Sequence, residues 1–295
     1  MPAMRRDHHR FCDFSFVNSL IWRSHFHTVL AIQDEFVFLK FGRDNPAWVY
    51  PLGGGLERGM ALLFDMAEAE KWQMAAPEKL RIFGWDKAGM AWLENRWPGR
   101  FTFTTNPADW DYLYRTADLA GLPGKKYHQK RNHIAAFTRA HSWEYETLED
   151  GNLDEVLEMA DLWWRSRNAT EPENADTVSD ASASLTAENT GIHEVLEHRR
   201  VLGVEGGVIR CGGRVAAFTF GSPPTADTFD IHVEKALPEF AGAYTVINRE
   251  FAANELLGRF DYINRENDMG LEGLRKAKHS YHPAEVLEKY IAIES

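Results

Sequence analysis

The clearest pattern in the chain lies between residues 228 and 257, where strict alternation gives way to helical spacing. Apolar positions alternate with polar ones from 229 to 234, which predicts a strand with one apolar face. The small residues Ala241, Gly242 and Ala243 predict a turn, and apolar positions three or four residues apart predict a helix after it. The polar strand face would carry Asp230, His232 and Glu234 together.

The order of predicted elements is similar in the two halves of the chain. In the first half, the pattern predicts strands at 28–32, 36–41, 80–84 and 101–105, a glycine turn at 53–55, and helices at 56–72 and 88–97. In the second half it predicts strands at 208–209, 215–220, 228–233, 260–263 and 289–293, and helices after residue 243 and at 271–281. The repetition predicts an α/β fold of two related units, 1–117 and 165–295, joined by a connector at 118–164.

Composition excludes several classes of protein. The 295 residues are 44% hydrophobic and 26% charged, as is typical of a globular protein with a sizeable core. The net charge of -11 disfavours diffuse binding to nucleic acid or anionic lipid, so an anionic partner must be held locally. Cys12 and Cys211 are far apart, which predicts neither a disulfide framework nor a metal site. Residues 1–10 lack the apolar core of a signal peptide and no apolar run could span a bilayer, so we expect a cytoplasmic protein.

The connector carries a concentration of positive charge. Residues 125–139 contain five Lys and Arg, among them Arg131, and no Asp or Glu. On a helix, Lys126, Lys130 and His133 would share one face. One interpretation is a contact for phosphate or carboxylate groups, and the alternative is a solvated helix face.

Residues 168–191 form a second unusual stretch, without an aromatic residue, Lys or Arg. Such a polar stretch inside a compact chain is compatible with a lid, a polar helix or disorder.

A dense polar block follows the strand predicted at 260–263. Its members include Asn264, Arg265, Glu266 and Asp268, and Arg275 and Lys278 lie in the helix that follows. Because open α/β sheets bind ligands beyond the carboxyl ends of strands, these side chains could converge on a substrate. The alternative is a structural network of ion pairs.

Five stretches taken together resemble the phosphatidylglycerol lysyltransferase C-terminal-like family. They are 124–133, 206–218, 232–236, 262–266 and 273–278, and the resemblance covers nearly the whole chain. It implies a tandem pair of GNAT-type acyltransferase folds. Full lysyltransferases of this family carry a membrane domain and move an aminoacyl group from charged tRNA to lipid, whereas this chain resembles the short members that lack that domain. The turn at 239–243 departs from the GNAT pyrophosphate loop because it begins with an acidic residue, Glu239.

The first hypothesis is an acyl- or aminoacyltransferase with its site in the second half. Glu234 or His232 would deprotonate an amine or hydroxyl acceptor, Tyr281 or Tyr244 would protonate the leaving group, and backbone amides near Gly242 and Ala243 would hold the donor. Anionic groups would be bound by Lys235, Arg265, Arg275 and Lys278, together with Lys126, Lys130 and Arg131 from the connector. The resemblance favours aminoacyl-tRNA, docked on residues 125–139, and acyl-CoA is the other donor; no tightly bound cofactor is expected. The acceptor would be a small molecule or a lipid.

Two alternatives require no catalytic base. In one, the same cleft of a non-catalytic module binds a small anionic metabolite or a lipid headgroup. In the other, the polar blocks are ion pairs that lock the two halves together.

Overall fold

The strands of this protein form two mixed sheets. The computed structural model describes residues 9–43, 45–71, 79–168 and 178–295. The first sheet contains, in spatial order, β1 (Val29–Gln33), β2 (Phe36–Phe41), β3 (Ala47–Val49), β4 (Arg81–Trp85), β13 (Tyr290–Glu294) and β5 (Phe101–Thr105). The second contains β12 (Glu285–Leu287), β6 (Asp111–Arg115), β11 (Tyr262–Asn264), β10 (Thr228–Ala236), β9 (Arg214–Ser222), β8 (Glu205–Cys211) and β7 (Trp143–Thr147). Paired strands are parallel between β3 and β4 and between β10 and β11.

Helices cover the faces of both sheets. They are α1 (Phe16–Ile21), α2 (Arg23–Phe26), α3 (Leu56–Lys71), α4 (Lys87–Arg96), α5 (Thr116–Gly121), α6 (His128–Ala140), α7 (Leu153–Asn168), α8 (Val178–Glu197), α9 (Arg199–Leu202), α10 (Ala243–Phe251) and α11 (Glu272–His279). Short 3-10 turns at Cys12–Phe14, Pro107–Asp109 and Lys125–Tyr127 and a π turn at Ala252–Leu256 connect them. This architecture confirms the predicted mixed α/β fold class. Within the described ranges, every helix is too short or too polar to cross a bilayer.

The core of the second sheet has two sides. On one side, apolar residues of α1, α7 and α8 pack on β8, β9 and β10, with Val17, Val156 and Val195 fully enclosed. On the other side, α5, α6 and α10 pack on the same sheet through residues such as Phe137 and Phe251. Hydrophobic burial on both faces explains why β9 reads as a largely apolar segment.

The two sheets exchange strands, so they do not coincide with the predicted division of the chain. β6 precedes the boundary expected at residue 117 but pairs with β11 and β12 of the second sheet. β13, at the end of the second half, pairs with β4 and β5 of the first. The reason is physical: β13 supplies the strand between β4 and β5, and its Ala292 is fully buried there.

Most predicted elements are present with shifted ends. The helix predicted at 56–72 is α3, and Trp72 lies outside the described residues. In the polar stretch at 168–191, residues 178–191 belong to α8, so this part of the stretch is the helix that was one of the alternatives. Residues 169–177 lie outside the described ranges, as do residues 1–8. The sequence pattern missed β3, β6, β7 and β12.

Candidate active site

The candidate site lies where two parallel strands separate. β10 and β11 are paired only from Thr228 opposite Tyr262 to Asp230 opposite Asn264. β10 then continues beside β9, whereas β11 ends and the chain turns away. Because the two strands no longer bond to each other beyond Asp230, side chains fill the gap between them.

A β-bulge at His232 decides which side chains face this gap. The pairing of β10 with β9 shifts by one residue there, so His232 is the extra residue of the strand. Glu234 consequently faces α10, where its Oε2 accepts a hydrogen bond from Asn248 Nδ2 at 3.1 Å. His232 points the other way, and its Nε2 lies 3.2 Å from Ser15 Oγ. The expectation that Asp230, His232 and Glu234 share one face is therefore wrong, because the bulge reverses the alternation.

Three charged side chains meet around a buried aromatic ring in the gap. Arg265 NH2 donates to Glu234 Oε1 at 2.8 Å, and these two side chains are only 14% and 10% exposed. The Arg265 guanidinium lies 4.8 Å from the centre of the Tyr281 ring, and the Lys130 ammonium lies 3.7 Å from the same centre. Tyr281 is 5% exposed. The arrangement brings together one carboxylate and two cations from three distant parts of the chain.

Two lysines of this site have lowered pKa values. Burial, reinforced by the positive charge of Arg265, lowers the pKa of Lys130 to about 8, although Glu234 opposes the shift. Burial and Arg265 likewise lower the pKa of Lys278 to about 8, and its Nζ donates to the backbone carbonyl of Arg265. Burial raises the pKa of Tyr281. Near neutral pH the two lysines can therefore exchange protons, whereas Tyr281 is a weaker acid than an exposed tyrosine.

A second polar cluster lies on the opposite side of β10. His232 Nε2 lies 2.8 Å from Ser222 Oγ, and its Nδ1 lies 3.0 Å from Glu266 Oε1 and 3.5 Å from Asp230 Oδ2. Glu266 has a φ of 58°, and this left-handed backbone turns its side chain towards His232. Asp230 is fully buried, which raises the pKa of its carboxyl well above the ordinary value. His232 is therefore enclosed by hydrogen-bonding partners and does not face the gap.

A third cluster joins the two halves of the molecule next to Asn264. Lys289 Nζ is fully buried, forms an ion pair with Asp111 Oδ1 at 2.7 Å, pairs with Asp13, and lies 3.3 Å from Cys12 Sγ. Asn264 Nδ2 donates to Asp111 Oδ2 at 3.0 Å. Burial raises the pKa of the Cys12 thiol well above its usual value. These groups hold β6, β11 and the N-terminal segment together.

The remaining charged candidates form ion pairs at the edges of the site. Asp268 is fully buried and accepts from Arg275 Nε at 2.8 Å and from the Tyr112 hydroxyl at 2.7 Å. Lys235 lies on the face of β10 opposite α10, where its Nζ donates to Glu188 Oε1 at 2.7 Å. The contacts of Arg275 and Lys235 are those of structural ion pairs, which is the alternative to substrate binding that the sequence left open.

Another candidate aromatic group, Tyr244, lies close to the Lys235 ion pair. Its hydroxyl accepts a hydrogen bond from Trp163 Nε1 at 3.0 Å, and the Trp163 ring lies 3.7 Å from Lys235 Nζ. Burial raises the pKa of Tyr244.

The turn before α10 has the predicted shape, and the amide of Ala243 is already used in a backbone hydrogen bond. Gly242 has a φ of 99° and precedes the helix. The amide of Ala243 donates to the carbonyl of Phe240 at 3.0 Å, so it is not available to a phosphate. A Cβ on Gly242 would lie 3.3 Å from the carbonyl of His133 in α6, which packs against the turn. An anion contact at the Ala243 amide would have to replace this hydrogen bond to Phe240, and the expected contact at Gly242 stays a prediction.

The connector residues are divided between the site and the surface. Lys130 enters the gap, whereas Lys126 is exposed and pairs with Asp118 at 3.3 Å. Arg131 donates to the backbone carbonyls of Leu122 and Gly124 at the end of α5. The structure thus brings one of the three predicted connector cations to the site.

Sequence reasoning missed several residues that shape the site. Asn248 is fully buried in α10 and donates a hydrogen bond to Glu234. In the sequence it could have been found as a polar residue among the apolar residues of the predicted helix. Tyr114, whose ring centre lies 5.8 Å from the Arg265 guanidinium, comes from the missed strand β6. Lys289 carried no local signal, because its partners lie at the other end of the chain.

Comparison with known proteins gives the family. A family model described as phosphatidylglycerol lysyltransferase, C-terminal, matches residues 5–293. A crystal structure of a conserved protein of unknown function from Bacteroides thetaiotaomicron is 35% identical, covers 100% of this chain and 95% of its own, and has a TM-score of 0.85. No curated protein matches the chain.

Two more distant structures share the fold. The C-terminal domain of a putative lysylphosphatidylglycerol synthetase from Agrobacterium fabrum is 14% identical, with a TM-score of 0.64 over 95% of this chain and 88% of that one. L-PGS from Bacillus licheniformis is 12% identical, with a TM-score of 0.61 over 94% and 90%. With the family model matching nearly the whole sequence, the chain belongs to the phosphatidylglycerol lysyltransferase C-terminal family.

Proposed function

We propose that this protein is an acyl- or aminoacyltransferase that acylates an amine or hydroxyl group. The family membership supports transfer chemistry. The observation that carries the proposal is the meeting of Glu234, Arg265 and Lys130 around Tyr281 where β10 and β11 separate. A carboxylate beside two cations in a largely buried gap can both remove a proton and stabilise a developing negative charge.

In this proposal Glu234 is the general base. Its carboxylate accepts the proton of the acceptor N–H or O–H group as that atom attacks the donor carbonyl. A positioned base of this kind contributes roughly 10²–10⁴-fold to the rate. His232, which the sequence left as the other candidate, is buried on the opposite side of the strand.

The cations take the role that was expected of the turn. Because the Ala243 amide is occupied, Arg265 and Lys130 are the donors placed to bind the oxyanion of the tetrahedral intermediate. One such donor is worth about 2.7–4 kcal/mol of transition-state stabilisation. When the intermediate collapses, the bond from the carbonyl carbon to the donor oxygen or sulfur breaks. Lys130, whose pKa is about 8, returns a proton to that leaving group.

Of the two donors, we propose aminoacyl-tRNA. The family name specifies lysyl transfer to phosphatidylglycerol. α6 supports this choice because it directs Lys130 into the gap, while Arg131 of α6 and Lys126 of the preceding turn are exposed. A phosphate backbone bound there would bring an aminoacyl end towards Glu234. Both donor classes are made in the cytoplasm, where this proposal places the reaction.

The test is transfer of radiolabelled acyl groups from charged tRNA and from acyl-CoA to anionic phospholipid and to small amines. We expect activity with aminoacyl-tRNA that falls steeply with salt concentration. Lys130→Ala should lower kcat at least tenfold, whereas Lys276→Ala, an exposed lysine of α11 outside the connector, should leave kcat nearly unchanged. Transfer from acyl-CoA alone would reject the tRNA donor. Equal loss in the two variants would reject the role of Lys130.

One observation favours the alternative, an anion-binding module without catalysis. Glu234 is already held by Arg265 and Asn248, so it could serve only to orient the arginine. Glu234→Gln separates the two functions. A catalytic base predicts tRNA binding with little turnover, and an anion-binding module predicts unchanged binding and no turnover in either protein.

A further inference from the structure

The cluster of Asp230, His232 and Glu266 contains a buried carboxylate without a hydrogen-bond partner. Asp230 is fully buried, and among the described residues neither of its carboxylate oxygens has a hydrogen-bond partner. Its Oδ2 nevertheless lies 3.5 Å from His232 Nδ1. Burying such a group without compensation is strongly unfavourable, more so for a charge than for a neutral polar group. The carboxylate therefore lacks a hydrogen-bond donor or cation, and the described side chains around it do not supply one.

A neighbouring cluster of carboxylates in the same molecule contains a cation that compensates their charge. Asp13 and Asp111 also bring carboxylates together in the interior, and there the Lys289 ammonium lies between them. Within the described ranges, no Lys or Arg lies within 4.0 Å of the carboxylates of Asp230 or Glu266. One acidic cluster thus contains its cation, and the other is built without one.

The spacing of the ligand atoms fits a metal ion. A ligand atom from each of Asp230, His232 and Glu266 lies within 4.8 Å of the other two. Two donors bonded at about 2.1 Å to one ion lie about 3.0 Å apart at a right angle and about 3.4 Å apart at a tetrahedral angle. The separations of His232 Nδ1 from Glu266 Oε1 and Asp230 Oδ2 are 3.0 and 3.5 Å. Ser222 Oγ, at 2.8 Å from Nε2, can accept the Nε2 proton and so leave the Nδ1 lone pair directed at the carboxylates.

We propose that Asp230, His232 and Glu266 bind a divalent transition-metal ion, with Zn²⁺ as the best match to one imidazole nitrogen and two carboxylate oxygens. The ion would join β10, the end of β11 and, through the hydrogen bond of Asn18 Nδ2 to Glu266 Oε1 at 2.7 Å, helix α1. Its position is enclosed, so its role is to fix the chain next to Arg265 rather than to bind substrate. The sequence predicted no metal ligand here because Glu266 meets Asp230 and His232 of β10 only through the pairing of β10 with β11.

The test uses the full chain and Zn²⁺ alone. Because the site is enclosed, the protein is stripped with a chelator, refolded from urea with or without Zn²⁺, and desalted. Metal content is measured by mass spectrometry and Tm by calorimetry. We expect about one retained Zn²⁺ per chain after desalting, and a Tm about 5 °C higher when free Zn²⁺ is added back at about a hundredfold excess over Kd. Asp230→Asn should abolish retention and the Tm shift.

Two further variants keep the result interpretable. Ser222→Ala retains all three ligands and should weaken Zn²⁺ binding about 10–100-fold by freeing the imidazole, even if Asp230→Asn folds poorly. His193→Gln removes another histidine and carboxylate pair, whose atoms lie 3.0 Å apart, and should leave retention unchanged. Retention lost only in His193→Gln, or a wild-type protein that neither retains Zn²⁺ nor gains stability from it, would overturn the proposal.

Discussion

The lowered pKa of Lys278 predicts that the protein becomes more stable as the pH rises above neutrality. The ammonium of Lys278 lies near Arg265, and its pKa falls from an ordinary 10.5 to about 8 in the folded state. Between about pH 8 and 10.5 the unfolded chain therefore holds more protons than the folded one. Stability increases with pH wherever that is true. Lys278→Met should remove this contribution while keeping the apolar part of the side chain.

The expected magnitude follows from the two pKa values. Proton linkage with values of about 8 and 10.5 gives about 1 kcal/mol of added unfolding free energy between pH 7 and 9, after allowing for partial exposure. Loss of the hydrogen bond from Lys278 to the Arg265 carbonyl lowers stability by an amount that does not depend on pH in this range. The slope against pH, rather than the stability at one pH, is therefore the informative quantity.

Urea unfolding at several pH values between about 7 and 9 measures that slope. Lys130 contributes a slope of the same sign, and ionisation of the unfolded Cys12 thiol opposes both near pH 9, because burial raises the folded pKa of that thiol. Both effects are common to wild type and variant and cancel in the difference. Lys276→Met, an exposed neighbour on α11, should show the wild-type slope. Parallel curves for wild type and Lys278→Met would refute the assignment of a buried, weakly protonated amine.

Two other substitutions test the ion pair between β10 and α8 and the turn before α10. Lys235→Met should lower the unfolding free energy by about 3 kcal/mol, because it leaves Glu188, which is only 12% exposed, without its cation. Adding Glu188→Gln should recover part of this loss, and the absence of any recovery would contradict the ion pair. Gly242→Ala should cost about 1–2 kcal/mol in urea unfolding, because its φ of 99° is unfavourable for any residue with a Cβ; an unchanged midpoint would show that the turn can adopt another conformation.

Local sequence pattern predicted most of the helices and strands but not which strands pair with each other. The strand at 101–105 and the helices near 56 and 88 were predicted because the spacing of their apolar residues can be recognised within each segment alone. The placement of β13 between β4 and β5 depends on pairing across the whole chain, which spacing does not encode. The pairing of β6 with β11 and β12, across the boundary predicted at residue 117, depends on long-range contacts of the same kind.

The site shows the same limit at the level of single side chains. Lys130 and Arg265 were selected from charge clustering, and the structure brings both to Tyr281. Glu234 and His232 were placed on one face because alternation assumes a regular strand. The bulge that separates them is a property of the pairing with β9 and has no signal in the residues of β10 alone.

The end of β11 connects the two polar clusters that the bulge separates. Arg265 and Glu266 are adjacent, yet Arg265 reaches Glu234 in the gap and Glu266 reaches His232 on the other side of β10. The left-handed backbone of Glu266 makes this divergence possible. Ser15 and Asn18, from the first half of the chain, also contact this second cluster. The position of the arginine in the proposed active site therefore depends on contacts from the N-terminal segment, which is a physical reason for the two halves to be built as one interlocked structure.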